Sequence, residues 1–310
     1  MDNITILETQ AGVFLSHFKD DDLLNLILTD FSDDMRLNDV FKGKIQRLEG
    51  NRAWVDIGFA KAALLKYDPK TSHLYVGKSV YVTVDRVQSL NKGAKVQLKS
   101  ESIIKDHLSN LHKIFSAPEE WLDYIQSLEK LDIKTNSVRI LHAAQDLKNN
   151  HKVTIKSDLI PSPDVHNAWS LCQENRVDIW GGGWIFIEEG ETLIAIDVNT
   201  GGGEFSSRDL KEDRHWLDFN QKCAKIIFEQ IKLRQLGGII MIDFPRLQKI
   251  EHQKILFQTI KRYADPQVQV LGFTRGGLFE LTRTKSQKSL SQRLKRNNIW
   301  ASFLNLNQKD

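Results

Sequence analysis

A mixed α/β protein carrying a small closed β-barrel is what this sequence of 310 residues predicts. Three patterns predict it. The runs Leu193-Ile-Ala-Ile-Asp197 and Ile239-Ile-Met-Ile-Asp243 are short, apolar and halted at a carboxylate, with a glycine-rich turn and one long helical pattern between them. Five short strand-like runs crowd the stretch from Asp39 to about Ser100, with glycines at the bends. Residues 1–37 alternate apolar and polar side chains in short runs, while residues 101–150 turn to three- and four-residue apolar spacing.

The opening segment, with Ile4-Thr-Ile6, Gly12-Val-Phe-Leu15 and Leu23-Leu-Asn-Leu-Ile-Leu28, reads as a few antiparallel strands. It is too short to close a core alone, so it is expected to pair with a later segment. Val40-Phe-Lys-Gly-Lys-Ile45, Ala53-Trp-Val-Asp-Ile57, Ala62-Ala-Leu-Leu65, Ser79-Val-Tyr-Val-Thr-Val84 and Lys95-Val-Gln-Leu98 are the five runs of the barrel. Their shortness, and the punctuation by Gly43, Gly50, Gly58, Gly77 and Gly93, point to the OB type. Basic and aromatic residues interleave along it, among them Lys42, Lys44, Arg47, Trp54, Tyr81, Lys92 and Lys95. A basic groove with stacking faces is how such barrels hold single-stranded nucleic acid. A solvated barrel surface over core aromatics is the plainer reading.

Beyond the barrel, Ile103, Leu108, Leu111, Ile114 and Phe115 predict one helix, and Pro118-Glu-Glu begins a second, proline and acids both suiting a first turn. Val153-Thr-Ile155 predicts a strand, and Ala168, Trp169, Leu171 and Cys172 a helix. Two strand pieces flank Gly181-Gly-Gly183, and Glu188-Glu-Gly-Glu191 turns into the strand ending at Asp197. Gly201-Gly-Gly203 lacks the Lys-Ser/Thr of a phosphate loop and reads as backbone kept bare for an approaching substrate strand. A helix from about Arg214 to Gln235 carries Trp216, Phe219, Cys223, Ile226, Ile227 and Ile231 on one stripe, and Gly237-Gly238 stops it. A helix through Ile250, Leu256 and Tyr263 and a third strand, Val268-Gln-Val-Leu271, follow. The stretch from Leu278 to Arg296 reads as basic and helical, a charge run of the kind that usually forms a solvated face.

Strand, helix, strand in this order gives a right-handed crossover, which makes the two strands parallel and puts their carboxyl ends on one edge of the sheet. As neighbours, they would set Asp197 and Asp243 side by side, with Asn199 just beyond. Two carboxylates and an amide at the mouth of a parallel sheet can hold a divalent metal. Turn capping by strand-end aspartates is the alternative.

The apolar share of 41% and charged share of 27% are those of a soluble globular protein. A formal charge of +3 leaves the question of a nucleic-acid partner to the local pattern of lysines and arginines. Cys172 and Cys223 stand far apart with no CxxC pair, which argues against a disulfide framework or a zinc knuckle. With no signal pattern and no apolar run of membrane length, a cytoplasmic protein without a membrane partner is expected.

Four blocks together resemble the ribonuclease E/G family of bacterial endoribonucleases. Lys42-Gly-Lys with Ala53-Trp-Val-Asp-Ile-Gly-Phe-Ala-Lys-Ala-Ala-Leu-Leu65 is similar to the family's S1-like RNA-binding barrel. Leu193-Ile-Ala-Ile-Asp-Val-Asn-Thr-Gly201 resembles its first metal block, and Leu233-Arg-Gln-Leu-Gly-Gly-Ile-Ile-Met-Ile-Asp-Phe244 its second. Gly277-Leu-Phe-Glu-Leu-Thr-Arg283 resembles the block after it. The resemblance implies an OB-type RNA-binding barrel (38–100) inserted in an RNase H-like layer (1–37 with about 101–178). A DNase I-like catalytic α/β domain (179–296) and a C-terminal tail (297–310) would follow. It implies a Mg²⁺-dependent endoribonuclease, Mn²⁺ being a substitute, that cuts single-stranded RNA in processing or decay and leaves a 5′-phosphate. Asp197 and Asp243 match the metal-binding aspartates and Asn199 the asparagine that supports them. Lys92 and Arg275 match residues that would hold RNA phosphates, with Arg283, Lys42 and Lys44 as further contacts, and Trp54 a stacking aromatic. Residues 284–310 contain no cysteine, so no zinc and no zinc-linked dimer or tetramer are expected. Leu64 stands where the family has a second aromatic, and no Arg-Thr pair marks a 5′-monophosphate sensor after the barrel. The rival reading is a catalytically impaired RNA-binding protein of the same fold.

Overall fold

Strands β1 (Asp2–Glu8), β2 (Gly12–Lys19) and β3 (Asp22–Asp30) follow one another across short turns. The computed structural model describes residues 2–31, 34–88, 92–99, 113–117, 119–147, 151–201, 213–296 and 298–308. It divides into two compact units, one of residues 1–28 with 128–310 and one of residues 29–127.

In the first unit, β1 pairs antiparallel with β2 on one side and parallel with β10 (Asp132–Thr135) on the other; β11 (Lys152–Ile155) completes a five-stranded sheet of order β11-β10-β1-β2-β3. Its buried side chains, Leu7, Phe14, Leu26 and Leu28, pack on Val165, Ala168 and Trp169 of α3 (Pro163–Leu171) and on the last helices. Trp169 lies edge-on to Phe14 and donates from Nε1 to Ser16 Oγ at 2.8 Å, so this fully buried ring also has its polar atom satisfied. Two expectations fail near here. Residues 101–150 are not helical throughout: between α1 (Glu120–Gln126) and α2 (Val138–Gln145), β10 alternates buried Ile133 and Thr135 with exposed neighbours, a period of two that β1 and β11 complete. Residues 299–304 are no tail: α7 (Ile299–Leu304) buries Ile299 and Phe303 in the same core.

The second sheet of this unit has six strands in the order β12-β13-β14-β15-β17-β16, namely β12 (Arg176–Asp178), β13 (Trp184–Glu189), β14 (Leu193–Asn199), β15 (Gly238–Asp243), β16 (Val268–Phe273) and β17 (Phe279–Arg283). Helices α4 (Asp213–Leu233) and α5 (Ile250–Tyr263) pack with its core, joining Cys223, Ile227, Leu256 and Ile260 to Ile194, Ile196, Ile240 and Ile242. The start of the stretch read as a basic helix is strand β17: Phe279 and Leu281 are buried at alternate positions, and antiparallel pairing with β15 and β16 satisfies the backbone. Only α6 (Leu290–Leu294) in that stretch is helical, and its Arg293 is buried rather than solvated.

The second unit closes five strands on themselves. The ring runs β4 (Val40–Glu49), β5 (Arg52–Asp56), β6 (Ala63–Lys66), β8 (Lys95–Leu98), β7 (Ser79–Arg86) and back to β4. Gly43 permits the closure, because a Cβ there would lie 2.7 Å from the Asp56 carbonyl oxygen. A sixth strand, β9 (Lys113–Phe115), adds to β4. Residues 114 and 115, read as helical, therefore extend the sheet, and the apolar positions 103, 108 and 111 lie outside the described residues. The buried carboxylate of Asp39 fastens this addition, accepting from Lys113 Nζ at 2.6 Å and from the Ala117 N–H at 2.8 Å. Among the described residues no helix is long and apolar enough to cross a membrane.

Candidate active site

β14 and β15 run parallel, and their register sets Asp197 directly opposite Asp243. The alternation that buries Ile194, Ile196, Ile240 and Ile242 against the helices turns both aspartates to the other face, where they are exposed. Neighbouring strands stand ~4.8 Å apart, so one cation can touch both carboxylates. Asn199, on the same face of β14, donates from Nδ2 to Asp197 Oδ2 at 2.8 Å and so fixes that carboxylate's orientation. This donor set suits a hard cation that keeps most of its water, such as Mg²⁺. Among the described residues no three His, Cys, Asp or Glu side chains gather to hold a metal.

A third carboxylate at this end of the sheet has a different task. Asp213, at the start of α4, accepts from the backbone N–H of Gln248 at 2.7 Å and of Lys249 at 3.1 Å, and lies 2.5 Å from His252 Nδ1. Burial pushes its carboxyl up, yet these bonds outweigh burial and hold it below the usual carboxylate value. Lys249, the residue before α5, offers no side-chain cap, so Asp213 caps that helix from a neighbouring element. Asn220 adds a second tie, from Nδ2 to the Pro245 carbonyl at 2.7 Å. Together they hold the segment that leaves Asp243. Neither tie was legible, because each joins residues more than twenty apart.

The glycine corner is packed against itself. A Cβ on Gly201 would lie 1.9 Å from the Gly182 carbonyl oxygen, and one on Gly183 would lie 2.7 Å from that of Asn199. Gly201 is bare because the 181–183 corner lies against it, which replaces the reading of a backbone cleared for substrate; residues 202 and 203 lie outside the described residues.

The predicted RNA contacts separate into groups. Ile242 pairs with Phe279, which puts the turn 274–277, with Arg275 exposed in it, at the same sheet edge as Asp243. Arg283 pairs with Gly238 at the opposite edge, donates from Nη1 to the Leu236 carbonyl at 2.9 Å and lies 3.7 Å from Asp265, so its guanidinium is engaged within the fold. In the barrel unit Lys42 and Lys44 are exposed on β4, and Lys92 is exposed between β7 and β8. Trp54 is half-buried on β5, opposite Leu64, with the Arg47 guanidinium 3.8 Å from its ring centroid. One face of the Trp54 ring is thus already covered by a cation. The alternation of Ala53, Trp54 and Val55 was enough to turn Trp54 outward, but nothing local pointed to Arg47 on top of it.

Burial pushes the Cys172 thiol up to about 11 and the Cys223 thiol up to about 12, and both are buried.

Comparison with known proteins bears on the region that holds both aspartates. The model of the ribonuclease E/G family matches residues 83–286. Ribonuclease G of Haemophilus influenzae is 36% identical over 129 residues, which make up 41% of this chain and 26% of that protein. Ribonuclease E of Synechocystis is 40% identical over 122 residues, 37% of this chain and 17% of the relative. A chloroplastic ribonuclease E/G-like protein of Arabidopsis thaliana is 29% identical over 160 residues, 49% of this chain and 16% of its own length. The matched stretches thus span about a quarter or less of these relatives.

Proposed function

The chain belongs to the ribonuclease E/G family, and on that premise we propose that it is an endoribonuclease that hydrolyses single-stranded RNA in processing or decay. The in-register carboxylate pair carries the reading. Asp197 and Asp243 would hold Mg²⁺, or Mn²⁺ in its place, and Asn199 would keep Asp197 in its ligating orientation. When bound, the ion supplies Lewis acidity toward the scissile phosphate and a more acidic water, giving a product with a 5′-phosphate. Asp213 and Asn220 stiffen the segment after Asp243, which limits how far that carboxylate can drift from its partner. Arg275, in the turn at the same edge, would bind a flanking phosphate. Lys42, Lys44 and Lys92 would do so in the barrel unit, while Trp54 would stack a base on the face that Arg47 leaves uncovered. In this reading residues 38–100 are an S1-like OB barrel, 1–37 with about 101–178 an RNase H-like layer, and 179–296 a DNase I-like catalytic domain.

The test is incubation of the purified chain with an unstructured RNA, with and without EDTA. Cleavage that needs the divalent ion and disappears in both Asp197→Asn and Asp243→Asn is the expected result. Cleavage that persists in both variants would come from a contaminant and end the proposal. Salt-sensitive RNA binding with no cleavage by the wild type would favour the RNA-binding reading instead.

A further inference from the structure

The face that presents Asp197 and Asp243 carries a second feature in register with them. Arg176, Phe186, Asp197 and Asp243 are successive partners across β12, β13, β14 and β15, one row over four strands. The adjoining row is Asp178, Trp184 and Asn199. Two aromatic rings therefore flank the Asn199–Asp197 hydrogen bond on the side away from Asp243, one strand spacing of ~4.8 Å distant. Phe186 is 38% exposed. Trp184 is half-buried, with the Arg176 guanidinium 4.4 Å from its ring centroid, and Arg176 Nε is held at 2.7 Å by Asp178.

Aromatic residues on the open face of a sheet usually stabilise it through aromatic or β-branched partners across the strands. These two have none: the partners of Phe186 are Arg176 and Asp197, and those of Trp184 are Asp178 and Asn199. Sheet pairing alone thus leaves the exposure of Phe186 unexplained. We propose that Trp184 and Phe186 form a stacking platform for a nucleobase of the RNA strand, beside the phosphodiester that a cation held by Asp197 and Asp243 would engage. The proposal rests on the nuclease reading above and adds to it a subsite for one flanking nucleotide. Base stacking on a ring tolerates any base, because every base offers a π-face. Arg176, pinned by Asp178, fixes the indole from one side and leaves its other face to a base.

The experiment uses the whole chain and RNA oligonucleotides with a single abasic nucleotide stepped across the cut site. In the wild type an abasic nucleotide on one side of the cut lowers kcat/KM about tenfold. The Trp184→Leu/Phe186→Leu double variant, which keeps apolar side chains at both positions, is about tenfold slower on intact RNA and insensitive to the abasic position. An undiminished abasic penalty in the double variant overturns the platform. In a second measurement 2-aminopurine is scanned along the same RNA bound to Asp197→Asn protein, where no cutting intervenes. Quenching at one position that vanishes on adding the two leucine substitutions is expected, and quenching indifferent to them at every position overturns the platform. Substitution-sensitive quenching with a wild type that never cuts RNA would uphold the platform while ending the nuclease reading.

Discussion

The two ends of the six-stranded sheet use charged residues in opposite ways. At the end where β14 and β15 finish, Asp197 and Asp243 are exposed beside each other, and Arg275 is exposed in a nearby turn. At the other end Arg234 and Arg293 are buried, and both spend their guanidinium groups on oxygens of the fold. Arg234 reaches the carbonyls of Glu174 and Leu171 at 2.5 and 3.1 Å and Gln230 Oε1 at 2.8 Å; Arg293 bonds the Leu28 carbonyl and Gln235 Oε1. Arg283 joins them through Leu236. A charge bonded to buried carbonyls holds elements together, whereas exposed carboxylates side by side are open to a ligand. Partners and burial, not residue type, separate the two ends.

Five substitutions test that contrast. The largest effect is expected at Asp197 and Asp243: each change to Asn lowers cleavage by about a thousandfold while urea stability stays within about 0.5 kcal/mol. Arg234→Ala is the converse. It removes the guanidinium that bonds the Glu174 and Leu171 carbonyls and Gln230 Oε1, lowers unfolding free energy by about 3 kcal/mol, and leaves cleavage per folded molecule unchanged; full urea stability would refute its structural role. A smaller split divides Arg275 from Arg283. Arg275→Gln weakens RNA binding several-fold and reduces the salt slope by about 1, while Arg283→Gln leaves binding alone and costs about 1 kcal/mol of stability. Equal binding losses in the two would erase the distinction between the edges.

The smallest effect concerns pH. Asp213 has a carboxyl held below its ordinary value in the folded chain, so its stabilisation is present above the unfolded value of about 3.9 and is lost as pH falls through the folded one. Asp213→Asn is therefore less stable than the wild type by about 1 kcal/mol at pH 6, and the gap narrows below about pH 4. Urea titrations at pH 6 and pH 3 measure it, and a gap that widens in acid would reverse the sign assigned here.

Local pattern made much of this legible. Apolar runs that stop at Asp197 and Asp243, with a helix between them, were enough for parallel neighbouring strands, because a crossover of that length has one favoured hand. Five short runs with glycine bends were enough for a closed barrel. Where local pattern misled, pairing was the cause. Phe279-Glu-Leu-Thr-Arg283 sits in a basic stretch that could be a helix until β15 and β16 offer it hydrogen bonds on both sides, and β10 is similar.

The carboxylate pair was therefore written into the sequence by itself, together with the barrel and the long helix of the crossover, since periodicity and turn chemistry act within a few residues. Only tertiary structure decided which arginines are fasteners, which cation covers Trp54, that Asp213 caps α5, and that Trp184 and Phe186 share a row with the aspartates. Each of those depends on register or burial between segments distant along the chain, and a one-residue change of register would turn every side chain of a strand to the other face.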